Sequence, residues 1–481
     1  PMTLSDERRL QVGFAVVCIA TFIVVLDAAI MNVALPSIQR SLDMTESNLQ
    51  WVVNAYTLVL GGFLLLGGRC ADLFGRRRVF MAGLAVFGLA SAMGGFAQNS
   101  VWLIVARGVE GFGSALIAPS ALAILYNMFE EEGARHRAVG IYGAMGSGGA
   151  ASGALLGGII VQWLGWEWCL FVNVPIAAAT LAICSSVVPE GKPGGTRPRL
   201  DAVGAITLTG GLLLLVYAVV EVTNKGWASA EILGCLGGAA ALFAIFAAVE
   251  MRTASPLIPF SIFRVRSVRG ANVVAACMTA AMFAQFYFTT LYMQQVLGYS
   301  AIVTGLAFTP LSVTTACGSI FISRVLRKMS MQKVLMTVMT TLAIGLAILT
   351  SISPSGTYWA ILGPLLLVAI SFGVALVALT IAALAGLEER DSGIGSGLLN
   401  TSRRIGGAIG LAVMSTVAAS QTHALLADGR STVDALNGGF RWAYAIGAAV
   451  AFSGAIAAFV MLRGDLTARA GHTPAGELAN R

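Results

Sequence analysis

The sequence predicts an all-α membrane protein with fourteen transmembrane helices. Three observations carry this. The 481 residues are 57% hydrophobic and 11% charged, whereas a soluble domain holds roughly a quarter charged residues. Apolar runs of about 20 residues, the length of helix that crosses the hydrocarbon core, recur along the chain. Backbone groups in lipid must be satisfied within each segment, so these runs are helices, and the alternation of a β-barrel is absent. The cations also fall on alternate loops. With the N-terminus inside, Arg40, Lys225, Arg430 and Arg441 are the outer-loop cations and Arg107 alone lies within a span; the rest of the 30 Lys and Arg are on the inner side. A wrong span count would scramble that asymmetry, so both termini are expected in the cytoplasm.

The predicted spans are 11–36, 48–68, 79–98, 101–127, 138–162, 166–188, 201–222, 230–250, 269–297, 300–323, 334–352, 357–387, 401–423 and 439–462. The first is of full span length and runs into a polar loop, so it reads as a helix and not as a cleavable leader. The longest inner connections, 189–200 and 251–268, bracket spans 7 and 8. The expected organisation is a six-helix bundle over 1–189, a linker and two-helix insert over 190–250, and a second six-helix bundle with a cytoplasmic tail over 251–481. The net charge of +7 reflects basic inner loops, and no nucleic-acid partner is expected. The 7 cysteines sit mostly in apolar runs and read as small buried hydrophobes. The 3 histidines show no metal spacing. No nucleophile, metal or nucleotide motif points to an enzyme, and no cofactor is expected.

Taken in order, span 1 contains Leu26-Asp27-Ala28-Ala29-Ile30-Met31-Asn32-Val33-Ala34-Leu35-Pro36. An ionised acid at mid-span costs roughly 2.5–3.5 kcal/mol on insertion scales, so Asp27 should face the bundle interior or a water-filled cavity. A carboxyl that alternates there between charged and neutral forms exchanges a proton for a cationic substrate; a protonated structural donor is the plainer role. Asn32 reads as a helix–helix hydrogen bond. Between spans 2 and 3 runs Gly68-Arg69-Cys70-Ala71-Asp72-Leu73-Phe74-Gly75-Arg76-Arg77-Arg78. Three consecutive arginines stay out of hydrocarbon, glycine permits a sharp turn, and Asp72 can pair with Arg76 or bond a helix N-terminus. In span 4, Arg107 and Glu110 are three apart and share a helix face. A membrane arginine needs a counter-charge, which Glu110 or Asp27 can supply. In span 5, Gly149, Gly153 and Gly157 form a stripe that lets another helix approach, with Gly158 beside it. Asp201 is placed to cap span 7. In span 9, Gln285, Phe286 and Tyr292 belong to an aromatic cluster that either lines an apolar pocket or packs against neighbours and lipid. Spans 10 and 13 hold no Asp or Glu, which concentrates proton chemistry in the first half. Trp51, Trp102, Trp163, Trp166 and Trp168 fall near outer boundaries, as an interfacial belt does.

The turn at Gly68–Arg78 resembles the signature loop between spans 2 and 3 of the major facilitator superfamily. The Leu26–Pro36 stretch resembles the Leu-Asp-x-Thr-x-x-Asn-x-Ala-Leu-Pro motif of that superfamily's fourteen-span drug/proton antiporter branch, with Ala29 where the family has Thr. Arg107–Gly113 resembles its Arg-x-x-Gln-Gly-x-Gly stretch, whose Arg is linked to proton transfer, with Glu110 in place of Gln. Span 5 resembles Gly-x-x-x-Gly-Pro-x-x-Gly-Gly, with Ala154 in place of the proline. Arg403–Gly407 and Pro256–Phe260 also look like this branch. The resemblance implies the facilitator fold of two six-helix bundles plus two inserted helices. It implies proton-coupled efflux of hydrophobic or cationic drugs across the bacterial inner membrane by alternating access, with protons as coupling ion. On this reading Asp27, Arg107 and Glu110 couple protons. Asp27, Met31, Asn32, Gln285, Phe286 and Tyr292 line the substrate cavity. Gly68, Asp72, Gly75, Arg76 and Arg78 latch the inner face, and Gly149, Gly153, Gly157 and Gly158 pack the antiporter helix. The expected partners are an amphipathic small molecule, protons and lipid, acting on a monomer. A dedicated exporter of one metabolite or antibiotic is the alternative within transport; a lipid flippase or membrane sensor is the alternative outside it.

Overall fold

The computed structural model describes residues 4–129, 131–188, 201–253, 256, 260–326, 329–385, 387 and 392–462. The predicted bundle boundary at 189 and the tail at 463–481 lie outside them. The described residues form helices and no strand. In order they are α1 (Leu4–Ser41), α2 (Glu46–Phe74), α3 (Arg76–Gly95), α4 (Ser100–Met128), α5 (Glu132–Trp163), α6 (Glu167–Phe171), α7 (Asn173–Val187), α8 (Ala202–Lys225), α9 (Ala230–Arg252), α10 (Arg266–Leu291), α11 (Ala301–Leu326), α12 (Met331–Leu349), α13 (Tyr358–Leu384), α14 (Ser392–Ala427) and α15 (Thr432–Met461).

These helices give the fourteen predicted crossings. Among the described residues thirteen helical stretches are long and apolar enough to span a membrane, and α5 adds the shorter apolar stretch Ser152–Trp163. The sixth crossing is broken into α6 and α7, because Pro175 has no N–H to give the carbonyl of Phe171. The ninth was predicted as one continuous helix. Instead α10 ends in a π-turn over Tyr292–Val296, where the Leu297 N–H reaches back to the Tyr292 carbonyl at 3.0 Å. Polar side chains fix several starts: Thr45, Asn99, Asp201, Ser229 and Ser431 each accept a bond from the backbone three residues on. The cap predicted at Asp201 is among them. Large apolar side chains turned outward, such as Leu89, Trp163, Ile320 and Trp359, suit a surface solvated by lipid. Trp166, predicted in the interfacial belt, is instead buried.

Two starts differ from the sequence reading. Helix α14 begins at Ser392 instead of 401, so Arg403 and Arg404 are not in an inner turn but more than two turns inside the helix. Arg403 is tolerated there because it donates to the Leu376 carbonyl at 2.8 Å and to Thr380 Oγ1 at 3.3 Å on α13. Helix α15 begins at Thr432 instead of 439, so Arg441, counted with the outer-loop cations, lies more than two turns inside the helix, its Nε on the Thr350 carbonyl.

Close helix approach builds the first bundle. An added Cβ at Gly149 would meet the Phe22 carbonyl at 2.8 Å, at Gly153 the Ala29 Cβ at 2.6 Å, and at Gly157 the Ile30 Cα at 3.1 Å. The predicted stripe is therefore the surface on which α1 lies against α5. Gly158 faces the other way: a Cβ there would fall 2.5 Å from the Ala301 carbonyl, so it closes the contact with α11 of the second bundle. The opposite contact between bundles joins α2 to α14, and there Gly397 lies against Leu65 and Gly61 against Arg404. The insert straddles that second contact. Helix α8 places Thr209 against Gly62 of α2 and accepts a 2.9 Å bond from Thr416 of α14 at its Val219 carbonyl.

Candidate functional site: a sealed charge centre and an outer cavity

Four helix groups converge on the middle of the first bundle. Helix α1 brings Asp27, α4 brings Arg107 and Glu110, α3 brings Ser91, and α7 brings Asn173. All five are at most 1% exposed. Arg107 Nη1 donates to Asp27 Oδ2 at 2.7 Å and to Glu110 Oε2 at 2.5 Å, so one guanidinium holds both carboxylates. The pairing left open between Glu110 and Asp27 is thus made by both. Arg107 Nε donates to the Val52 carbonyl of α2 at 3.2 Å. The remaining oxygen of Asp27 accepts from Asn173 Nδ2 at 2.9 Å, and the same amide nitrogen is 3.1 Å from Ser91 Oγ. Tyr56 of α2 caps the group: its ring centroid lies 4.4 Å from the Arg107 guanidinium carbon, and its hydroxyl is 3.0 Å from Ser114 Oγ. Such a stack attracts a desolvated cation.

Charge arithmetic defines what this centre can do. With both carboxyls ionised it carries a net single negative charge, and one proton on either makes it neutral. Glu110 Oε1 has no hydrogen-bond partner among the described residues, so an open acceptor is present without rearrangement. Asn173, Ser91 and Tyr56 were missed by sequence reasoning. The available signal was Asn173, a lone amide inside the apolar run before Pro175.

The other predicted cavity residues are not gathered around Asp27. Asn32 was read as a bond between helices; instead its amide donates to the Ala28 carbonyl of its own helix at 2.8 Å, four residues back, where a backbone acceptor is already within reach. Met31 is buried in the core. Gln285 donates to Thr289 Oγ1 at 3.0 Å, and Thr289 Oγ1 lies 3.0 Å from the Tyr444 hydroxyl. Phe286 stacks on Phe308 with centroids 4.7 Å apart, and Tyr292 donates to the Ser353 carbonyl at 2.7 Å. A cavity of about 930 Å³ lies instead at the predicted outer end, between the bundles, lined by residues that include Gln39, Arg40, Glu46, Gln294, Gln295 and Tyr299. None of the six predicted residues lines it. Across its wall Gln295 Nε2 donates to Gln39 Oε1 at 2.7 Å and Gln294 Nε2 to the Val33 carbonyl at 3.1 Å.

At the opposite end, the basic turn is tied down within the first bundle. Gly75 has φ +98°, a conformation that favours glycine, and this permits α2 to reverse into α3. Asp72 pairs with Arg76 at 3.4 Å. Arg76 also donates to the Ala123 carbonyl of α4, and Arg77 to the carbonyls of Ser185 and Val188 at the end of α7. Gly68 lies beside Pro119 of α4, and Arg78 is exposed. Arg69 reaches past the bundle to the Pro256 carbonyl, on the connection into α10.

The family model described as Major Facilitator Superfamily matches residues 17–411. This chain is a member of that superfamily. The facilitator is 38% identical to the puromycin resistance protein pur8 of Streptomyces alboniger, over 98% of this chain and 95% of that protein. It is 40% identical to the cephamycin export protein CmcT of Amycolatopsis lactamdurans, over 87% of each. It is 33% identical to the multidrug resistance protein Stp of Mycobacterium tuberculosis, over 84% of this chain and 75% of that one. In fold the facilitator is similar to the POT family transporter PepTSo, with TM-score 0.68, 14% identity, and coverage of 94% of this chain and 97% of that one. A D-xylose-proton symporter gives TM-score 0.66 at 13% identity, covering 94% and 98%.

Proposed function

We propose that the protein is a transporter, not an enzyme, that exports amphipathic drugs or antibiotics across the bacterial inner membrane in exchange for protons. The single observation carrying this is the sealed Asp27–Arg107–Glu110 centre, two carboxylates on one guanidinium, both buried where an uncompensated charge is expensive. Protonation of either carboxyl neutralises the centre and loosens one bond to Arg107. That changes the relative free energy of the two arrangements of the bundles, which is how a proton biases alternating access. The substrate leaves through the cavity at the outer end once the glutamine bridges of α10 to α1 part. The ties of Asp72 and Arg76–Arg78 hold the inner turn in one of these arrangements. Protons are the coupling ion, no cofactor takes part, both termini face the cytoplasm, and the working unit is a monomer. The names of the relatives support drug export. Two of them name one antibiotic each, which favours a dedicated exporter over a broad pump as a second reading.

The test uses the purified protein in proteoliposomes with an imposed pH gradient and a panel of cationic, neutral and anionic drugs. Uphill movement of at least one drug, abolished by a protonophore, is expected. Movement that ignores the gradient, or labelled lipid moving in place of drug, would overturn the proposal.

A further inference from the structure

The contact between α2 and α14 holds polar groups that the charge centre does not use. On α2, Gln50, Asn54, Gly61 and Leu65 share one helix face by their spacing. That face meets α14, because Leu65 lies against Gly397 and Gly61 against Arg404. On α14, Gly397, Thr401, Arg404, Ala408 and Ser415 likewise share a face. Gln50, Asn54 and Thr401 are at most 2% exposed. Among the described residues, Gln50 Oε1, both amide atoms of Asn54, Thr401 Oγ1 and Ser415 Oγ have no hydrogen-bond partner. Buried polar atoms are nearly always bonded, so such a run requires an explanation.

Arg404 sits among them. It is partly buried and forms no ion pair or hydrogen bond with any described residue, unlike Arg403, whose Nη2 donates to the Leu376 carbonyl and to Thr380. Helices α10 to α14 contain no Asp or Glu to neutralise it. The two carboxylates of the charge centre are already taken by Arg107. Tyr56, whose ring covers Arg107, also lies within electrostatic reach of Arg404. A guanidinium stays cationic at every pH the protein meets and presents a fork that fits a carboxylate. Inside a membrane such a charge needs a counter-ion.

We propose that Arg404 binds an anionic group, a carboxylate, on the exported molecule, and that Asn54, Gln50 and Thr401 bond polar atoms of the same molecule. This rests on the export reading and specifies its substrate class: amphipathic acids and zwitterions in place of simple cations. It also divides the labour. The first bundle changes charge with protonation, while Arg404 keeps its charge and releases the anion when α2 and α14 move apart. The substrate is thus drawn to one charge and expelled by the cycling of another.

Rhodamine B and its ethyl ester share one cationic ring system and differ in a free carboxylate. Gradient-driven movement of both is measured in proteoliposomes of the full-length protein. The wild type should move the acid about tenfold better than the ester, the worth of a charge-assisted hydrogen bond. Arg404→Gln should bring the acid down to the level of the ester and leave the ester within about twofold, which also reports that the variant is folded. Arg404→Lys should keep part of the preference. Should Arg404→Gln fail to insert, the wild-type preference decides alone. Equal movement of acid and ester by the wild type sinks the anion site and leaves the export reading standing, as does an equal fall of both in Arg404→Gln. Movement of neither probe by the wild type counts against both.

Discussion

The two bundles solve the problem of polar groups in a membrane in opposite ways. The middle of the first is ionic: Asp27, Arg107 and Glu110 are buried together and satisfy one another, with Asn173 and Tyr56 closing the group. The second buries a neutral chain of Gln285, Thr289 and Tyr444, and its cations Arg403 and Arg404 have no carboxylate beside them on α10 to α14. A neutral chain gives shape and rigidity but holds no exchangeable charge. An ionic one is expensive to bury and is retained where a change of charge is useful. The contrast assigns proton chemistry to one half and leaves the other to packing and recognition.

The largest test of that contrast is to remove the shared cation. Arg107→Ala leaves two carboxylates buried without a counter-charge and should destabilise the protein by about 3–5 kcal/mol. It is read from the thermal midpoint in detergent, and an unchanged midpoint would break the picture of an ionic centre. Asp27→Asn keeps a group that can face Asn173 and leaves Glu110 to pair Arg107. Folded protein should be recovered in wild-type yield while uphill export falls to the background of empty liposomes; export that persists would remove Asp27 from proton coupling. Gly153→Ala pushes a Cβ to 2.6 Å from that of Ala29 and should cost about 1–3 kcal/mol by overpacking. Adding Ala29→Gly should recover part of this, and failure to do so would mean that α1 and α5 are held apart by another contact. In the neutral half, Thr289→Val breaks the chain and should cost about 1 kcal/mol without altering the pH profile of export. A shifted profile would place proton chemistry in both halves.

The smallest effect lies at the outer cavity, at Glu46, just outside the span that starts at Asn48. Burial pushes its carboxyl above the ordinary range, opposed by the nearby His423. The protonated form is the one favoured in the folded protein, so its contribution is fully present at low pH and is lost as pH rises through the raised value. Relative to Glu46→Gln, the wild type should therefore lose thermal stability as pH rises across the carboxylate range. A difference between the two that does not vary with pH would refute the assignment.

The fold was legible because a bilayer enforces it: apolar length, the alternation of cations and the cap at Asp201 each have a local physical cause. The pairing of Arg107 with its carboxylates was legible too, since a membrane arginine demands a partner and three-residue spacing supplies one. Helix starts were less so. Arg403 was read as the edge of span 13, because a cation looks like an end until the carbonyl of Leu376 is seen to receive it.

The chain by itself determined fourteen crossings, the identity of the ionisable groups and the glycine stripe, because hydrophobic length, charge and spacing act within one helix. Only the tertiary structure decided that one guanidinium serves two carboxylates, that Asn173 and Tyr56 complete the group, and that Arg404 faces α2 with no ion-pair or hydrogen-bond partner among the described residues. Those facts depend on distances between residues far apart in sequence, and no rule acting along a single helix sets them.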